Sequence, residues 1–365
     1  MRILYLSSKK NWGGVTNWMN QTALGLERKG HQVWIMAHPN GRFVKSASRK
    51  LRIIPKKLGM DYNPYMVLFI WRLIVRNRID LLVTNIEKEV MAGGLASRLS
   101  GIPNIRRVGR EDDFNEKWRV KWHHRLLVDR CITPCNLIRD NALKRAGWLD
   151  GSMFTTIYNG RNYREIPAIQ RDRQRTIWGI QKEALVIGIT TQLSRVKGVD
   201  TLIRAFARLW RQHPHCRLVV TGEGGERRGL EALARELHVS DSVVFGGYAS
   251  DPMLIAASYD IAVCSSLFEG FPNTVVEYLA AGRPVVSTDA GGIPEMVKHG
   301  VNGWLVPSGD EHKLYEGLLS LVEDGHLRTS LQQQARHTIQ EKFSEDIMLE
   351  KLEAFFRQAI QKQRG

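Results

Sequence analysis

Residues Ser265 to Glu295 read SSLFEGFPNTVVEYLAAGRPVVSTDAGGIPE, and the way this stretch begins decides the fold. The apolar run before it, Tyr259-Asp260-Ile261-Ala262-Val263-Cys264, has the length and composition of a buried strand. Glu269-Gly270-Phe271-Pro272 cannot extend that strand, and Asn273 is a good N-cap for a helix opening on Thr274-Val275-Val276-Glu277-Tyr278-Leu279. Strand, turn and helix in that order form the unit of an open parallel sheet, which binds ligands at the carboxyl edge of its strands. The spacing therefore predicts that Glu269 and the backbone N–H groups of Asn273, Thr274 and Val275 stand at that edge, where a helix start attracts phosphate. Glu277, eight residues after Glu269, sets a second carboxylate at the same spot from another level. Carboxylates there repel phosphate but can hold hydroxyls.

A second stretch upstream carries cations. Leu185 to Ile189 is strand-like and opens the second domain, and Thr190-Thr191-Gln192-Leu193-Ser194-Arg195-Val196-Lys197-Gly198 follows as a loop before a helix starting at Val199. Arg195 and Lys197 at a strand's carboxyl end suit a departing diphosphate, which gains charge as its bond breaks. Leu218 to Gly224 and Val243 to Tyr248 are strands ending in glycine-rich loops that let backbone approach a ligand closely. Tyr248 either packs against such a ligand or fills the core.

The first part of the chain repeats the pattern. Met1 to Leu6 is a strand, Gly13 and Gly14 lie in a loop that lets backbone approach a ligand, Thr16 to Lys29 is a helix and Gly30 to Met36 the next strand. The loop is not G-x-G-x-x-G, so a nicotinamide dinucleotide is not indicated. Asp80 to Thr84 and Ile102 to Val108 are further strands, with a small-residue helix from Met91 to Leu99 between them. The basic, aromatic run Trp118 to Arg125 reads as a solvated face, since no nucleic-acid motif accompanies it. Thr155 to Gly160 ends the first domain, and the polar stretch Pro167 to Arg175 is expected to be a linker.

With 365 residues the chain is long enough for two cores. Its formal charge of +16 is unevenly placed, because residues 1–165 carry a net +17 and residues 166–365 a net −1. Such an asymmetry suits an anionic partner: a phospholipid surface, an acidic glycan or nucleic acid. Within Pro64 to Arg78, Leu68, Phe69, Trp71 and Leu73 beside Arg72, Arg76 and Arg78 can enter a membrane interface, or form a core helix with a basic outer face. Four cysteines, Cys131, Cys135, Cys216 and Cys264, read as reduced thiols without a zinc-site pattern. No leader pattern and no membrane-spanning apolar run is seen, so the expected location is cytoplasmic and peripheral on the inner face of the membrane.

Glu269 and Glu277 within EGFPNTVVE, followed by AAGRPVV and GGIPE, resemble the E-x7-E signature of retaining, nucleotide-sugar-dependent glycosyltransferases of group 1, family 4 type. The resemblance implies an α/β chain of the GT-B fold: two Rossmann-like domains facing across a cleft, the last helix crossing back to the first domain. Residues 1–165 with about 345–365 would bind the acceptor and residues 166–344 the donor. It implies Lys197, Glu269 and Arg195 as catalytic residues. Gly13, Gly14, Gln192, Tyr248, Asn273, Thr274, Val275 and Glu277 would bind the donor. There are three departures. Gly109 stands where the family often has a histidine, so Arg107, Arg110 and Glu111 become acceptor-side candidates; Gln192 stands where an arginine is usual, with Arg195 as its possible replacement; Asn162 replaces an acidic residue. No metal and no cofactor beyond a UDP-, GDP- or ADP-linked sugar is implied, and no nucleic acid is expected. The favoured acceptor is an envelope glycan or lipid-linked sugar. A soluble acceptor, an epimerase of related architecture, or a basic binding protein that keeps the fold without the chemistry are the competing readings.

Overall fold

The structure is a computed structural model that describes residues 1–11, 13–41, 43–44, 51–59, 63–110, 113–114, 116–248 and 251–364. The chain divides into two units, Met1–Asn159 with Glu345–Gly365, and Gly160–Ser344. Gly160 to Glu165 thus go with the second unit. There the Arg161 amide donates to the Phe343 carbonyl at 2.8 Å.

Among the described residues, the first unit holds seven strands: β1 Arg2–Ser7, β2 Gln32–Ala37, β3 Arg52–Pro55, β4 Leu81–Thr84, β5 Asn104–Arg107, β6 Arg130–Thr133 and β7 Phe154–Thr156. They form one sheet in the order β3-β2-β1-β4-β5-β6-β7. Every neighbouring pair is parallel. The alternation within β1 shows why both faces need cover. Ile3 and Tyr5 enter a core shared with helix α1 (Gly14–Arg28), while Leu4 and Leu6 enter another lined by α2 (Pro64–Asn77) and α3 (Glu87–Ser100). Helix α4 (Trp118–Leu127) packs on α3, and α5 (Asn136–Arg145) lies beside β6 and β7.

The second unit has the strands β8 Leu185–Thr190, β9 Cys216–Thr221, β10 Val243–Gly247, β11 Ile261–Cys264, β12 Val285–Thr288 and β13 Gly303–Val306, again all parallel. Their order is β10-β9-β8-β11-β12-β13. The helices are α6 Ala168–Ile177, α7 Val199–Trp210, α8 Arg227–Glu236, α9 Pro252–Ala257, α10 Asn273–Ala280, α11 Ile293–Met296, α12 Glu311–Glu323 and α13 Gly325–Lys342. Helices α7, α8 and α12 share one core on the sheet, and α6, α9, α10 and α13 pack in series. The final helix, α14 (Glu345–Arg364), belongs to the first unit, where Leu349, Leu352, Phe355 and Phe356 complete the core beside α1.

The expected linker over Pro167 to Arg175 is instead part of α6. None of its residues is fully buried, so its sequence lacks the apolar stripe that marks most helices. Arg175 holds it down, donating to Asp260 at 2.8 Å and to the Ser258 carbonyl at 2.9 Å. In α2 the apolar residues facing outward are Tyr65, Leu68 and Val75, whereas Phe69, Trp71 and Leu73 are half-buried. No helix among the described residues is long and apolar enough to cross a membrane.

Candidate active site at the carboxyl edge of the second sheet

In each unit the strand order reverses beside the first strand, between β1 and β4 and between β8 and β11. At such a reversal the adjoining loops part and leave a crevice. In the second unit those loops carry Lys197 and Glu269. After β8 comes a single 3-10 turn, Arg195–Lys197, then Gly198 at φ +57°. A Cβ on Gly198 would collide with the Ser265 carbonyl, so the two loops approach more closely than a larger residue allows. They are stitched together by the Leu267 amide donating to the Val196 carbonyl at 2.8 Å and the Ser265 hydroxyl donating to the Lys197 carbonyl at 3.0 Å.

Across this seam Lys197 Nζ donates to Glu269 Oε1 at 2.5 Å, and the Ser266 hydroxyl donates to the same oxygen at 2.8 Å. The Lys197 and Glu269 side chains are 21% and 13% exposed, sheltered yet reachable. A third loop braces the second from below. Gly291, at φ +60°, lies so near Glu269 that a Cβ would strike its carbonyl oxygen, and the Gly292 amide donates to the Gly270 carbonyl at 3.0 Å.

Helix α10 starts one residue earlier in its cap than expected: Pro272 holds the N-cap place and Asn273 is the first helical residue. Proline suits this place because it has no N–H to leave unpaired. The Val275 amide already donates to the Pro272 carbonyl at 3.2 Å, so of the three amides expected to face phosphate this one is spent. Tyr278 locks the helix to the sheet, its hydroxyl accepting from the Thr190 amide at 2.6 Å at the end of β8.

Glu277 is 7% exposed and accepts from Arg161 Nη2 at 3.2 Å. Burial raises its carboxyl above the usual carboxylate range, with Arg161 pulling the other way. The two carboxylates therefore have different cationic partners, Lys197 for Glu269 and Arg161 for Glu277. Arg161 was missed in the sequence. It follows the Asn159-Gly160 turn, but nothing local ties it to a residue 116 positions later.

The Arg195 side chain is 90% exposed, 3.6 Å from Glu226. Gln192 is exposed, and Tyr248, 66% exposed, is not a core residue. In the first unit Gly13 and Gly14 are exposed at the start of α1, where the Gly13 amide donates to Thr16 Oγ1 at 2.7 Å. Arg107 is buried under Trp18, 4.8 Å from its ring centroid, and a Cβ on Gly109 would come within 3.2 Å of Arg107 Nη1. That guanidinium occupies the space a larger residue at 109 would take; burial pushes its pKa down to about 10, with Asp113 opposing. Arg110 is exposed, its amide donating to Asp113 at 3.3 Å, and Glu111 lies outside the described residues. A further residue missed in the sequence is Glu89. Its buried carboxylate accepts from the Ser8 amide at 2.7 Å and the Asn85 amide at 2.9 Å, joining the ends of β1 and β4 at the first unit's strand reversal. The helix was expected to begin only at Met91, which hid Glu89 in its first turn.

Residues 170–338 match the family described as Glycosyl transferases group 1, and residues 12–164 match Glycosyltransferase Family 4. The chain belongs to the group 1 glycosyltransferases. This group 1 chain is 30% identical over 237 residues to the EpsD protein of Bacillus subtilis (strain 168), covering 65% of this chain and 61% of that one. It is 37% identical over 150 residues to the lipopolysaccharide core biosynthesis glycosyltransferase LpsE of Rhizobium meliloti (strain 1021), covering 41% and 43%. The matches thus span under two thirds of these relatives' own lengths. Anabaena Alr3699/HepE, solved in complex with UDP-glucose, shares the fold at a TM-score of 0.85 and 20% identity, over 98% of this chain and 100% of that one. The fold of this group 1 protein is GT-B, as its sequence led us to expect.

Proposed function

We propose that this chain transfers a sugar, with retention of anomeric configuration and without a metal ion, from a nucleotide-sugar donor to an envelope glycan or lipid-linked acceptor. The observation that carries the reading is the Lys197–Glu269 pair at the strand reversal, beside the start of α10. In this reading the Lys197 ammonium neutralises the diphosphate oxygen from which the sugar departs, and the Asn273 and Thr274 amides share its charge. Glu269 accepts from hydroxyls of the donor sugar, and Glu277, braced by Arg161, accepts from the ribose. The acceptor hydroxyl adds to the anomeric carbon on the face the diphosphate leaves. Its proton passes to the departing phosphate oxygen, so charge and atoms balance. Arg107 and Arg110 in the first unit are the acceptor-side candidates.

The name of LpsE supports a lipopolysaccharide-type acceptor, and UDP-glucose in Alr3699/HepE makes UDP-linked donors the first to try, ahead of GDP- and ADP-linked ones. Membrane work is supported by the exposed residues of α2 and of α4, where Trp118, Trp122 and Leu126 recur four residues apart beside Arg119 and Arg125. The test is a donor panel read by thermal shift, since a matched donor raises Tm by mass action. Turnover of the selected donor in EDTA follows, with the product anomer assigned by NMR. A donor that is epimerised or hydrolysed without any glycoside forming would sink the transfer reading.

A further inference from the structure

At the amino edge of the second sheet, Arg171, Arg175 and Arg336 lie within electrostatic reach of Arg283, from three elements in all. Arg283 lies in the turn between α10 and β12, Arg171 and Arg175 stand one turn apart on α6, and Arg336 comes from α13. Arg283 is 9% exposed. The Nε atoms of Arg171, Arg283 and Arg336 are buried and have no hydrogen-bond partner among the described residues. Arg336 lies where Gly282 omits a side chain: a Cβ there would sit 2.8 Å from its Nε, and its guanidinium rests 5.0 Å from the Tyr163 ring centroid. The carboxylate beside them, Asp260, is already engaged, one oxygen by Arg175 and the other by the Val186 amide, each at 2.8 Å.

These guanidinium groups, beside a carboxylate that already has two partners, place positive charge in a half-dry site, and such charge calls for a counter-ion. Burial pushes the Arg283 pKa down to about 10, with Arg171, Arg175 and Arg336 adding to the effect and Asp260 opposing it. The second unit holds equal numbers of basic and acidic residues, so the cluster is a local concentration and not the fringe of a basic surface. Planar guanidinium forks bind phosphate bidentately, and the Asp260 carboxylate beside them is already engaged.

We infer that Arg171, Arg283 and Arg336 form a binding site for a phosphate group, carried either by a free phosphoanion such as pyrophosphate or by a lipid headgroup. The site is distinct from the candidate active site, because Asp260 precedes β11 while Glu269 follows it. The four residues of that strand alone span roughly 13 Å.

The test is calorimetric titration of pyrophosphate, with sodium chloride at matched ionic strength as the blank, into the wild-type protein and three variants: Lys197→Ala, Arg171→Gln and Arg336→Gln. The last two replace half-buried residues and spare the core, which Arg283→Gln does not. The inference expects a saturable site that survives in Lys197→Ala and weakens by about tenfold or more in Arg171→Gln and Arg336→Gln, as loss of a charge-assisted hydrogen bond implies. A second arm pellets the protein with vesicles of phosphatidic acid in phosphatidylcholine. Pelleting that falls with Arg171→Gln assigns a lipid headgroup; pelleting unchanged beside a weakened pyrophosphate site assigns a soluble anion. Binding that disappears with Lys197→Ala, or that neither arginine variant alters in either arm, overturns the inference.

Discussion

Lys197 and Arg195 are two residues apart in one 3-10 turn, yet they point to different acids, Glu269 and Glu226. Replacing Lys197 by Ala is therefore expected to lower kcat by about 10²–10³, the loss typical of a donor aimed at developing charge. Arg195→Ala, which breaks an exposed contact, should leave kcat within about threefold. Equal losses in steady-state turnover would show that Arg195 does share the leaving group. In the first unit His124 is 1% exposed among Phe114, Trp148 and Phe154, and neither ring nitrogen has a hydrogen-bond partner among the described residues. Burial, with Arg106 and Arg125 adding to it, pushes its pKa down to about 3. A depressed histidine favours the folded state while neutral, so its contribution is complete above the unfolded value near 6.5 and is lost as pH falls from there toward 3. Between pH 7 and pH 5 this costs about 2 kcal/mol. Urea unfolding at the two pH values should show His124→Phe losing less stability than the wild type by that amount. Equal losses would contradict the assignment.

At the scale of elements, three loops converge on Glu269, and the one after β12 does so through Gly291. Gly291→Ala combines a positive φ with a collision, so it should lower stability by about 1–3 kcal/mol and turnover with it. Gly225→Ala is the control, since a Cβ there meets nothing within 4 Å. Matched melting curves and initial rates for the two variants check this; equal behaviour would mean that the Glu269 loop is not braced as described. Helix α6 teaches the converse lesson. Its residues look like a linker because it is a surface helix held by Arg175 at Asp260, and that pairing joins positions 85 apart.

For the molecule as a whole, charge is the dominant asymmetry. Taken with its returning C-terminal segment, the first unit carries a formal +16 and the second unit none. Among the described residues, the exposed large apolar residues of the first unit fall on α2, α3 and α4, the first and third of which pack against the second. Flotation with anionic vesicles should thus show binding at low salt that weakens steeply as ionic strength rises and the Debye length shrinks below about 10 Å. Trp118→Ala with Trp122→Ala should reduce the salt-resistant remainder, and no binding to anionic vesicles at any salt would remove the membrane from the proposal.

Strand alternation, the glycine-rich turns and the EGFPNTVVE block made most strands of the two sheets and the Lys197 and Glu269 loops legible from the sequence alone, because each rests on residues within about ten positions of one another; β3, β6 and β12 did not stand out. Only the tertiary structure decided that Arg161 faces Glu277, that Glu89 joins β1 to β4, and that Arg171, Arg175 and Arg336 come within electrostatic reach of Arg283. It likewise set Pro272, not Asn273, at the cap of α10 and made a helix of the expected linker. Local periodicity records which face of an element is apolar. It does not record which distant charge a buried side chain will meet, since that pairing is settled when sheets and helices pack and water is excluded from between them.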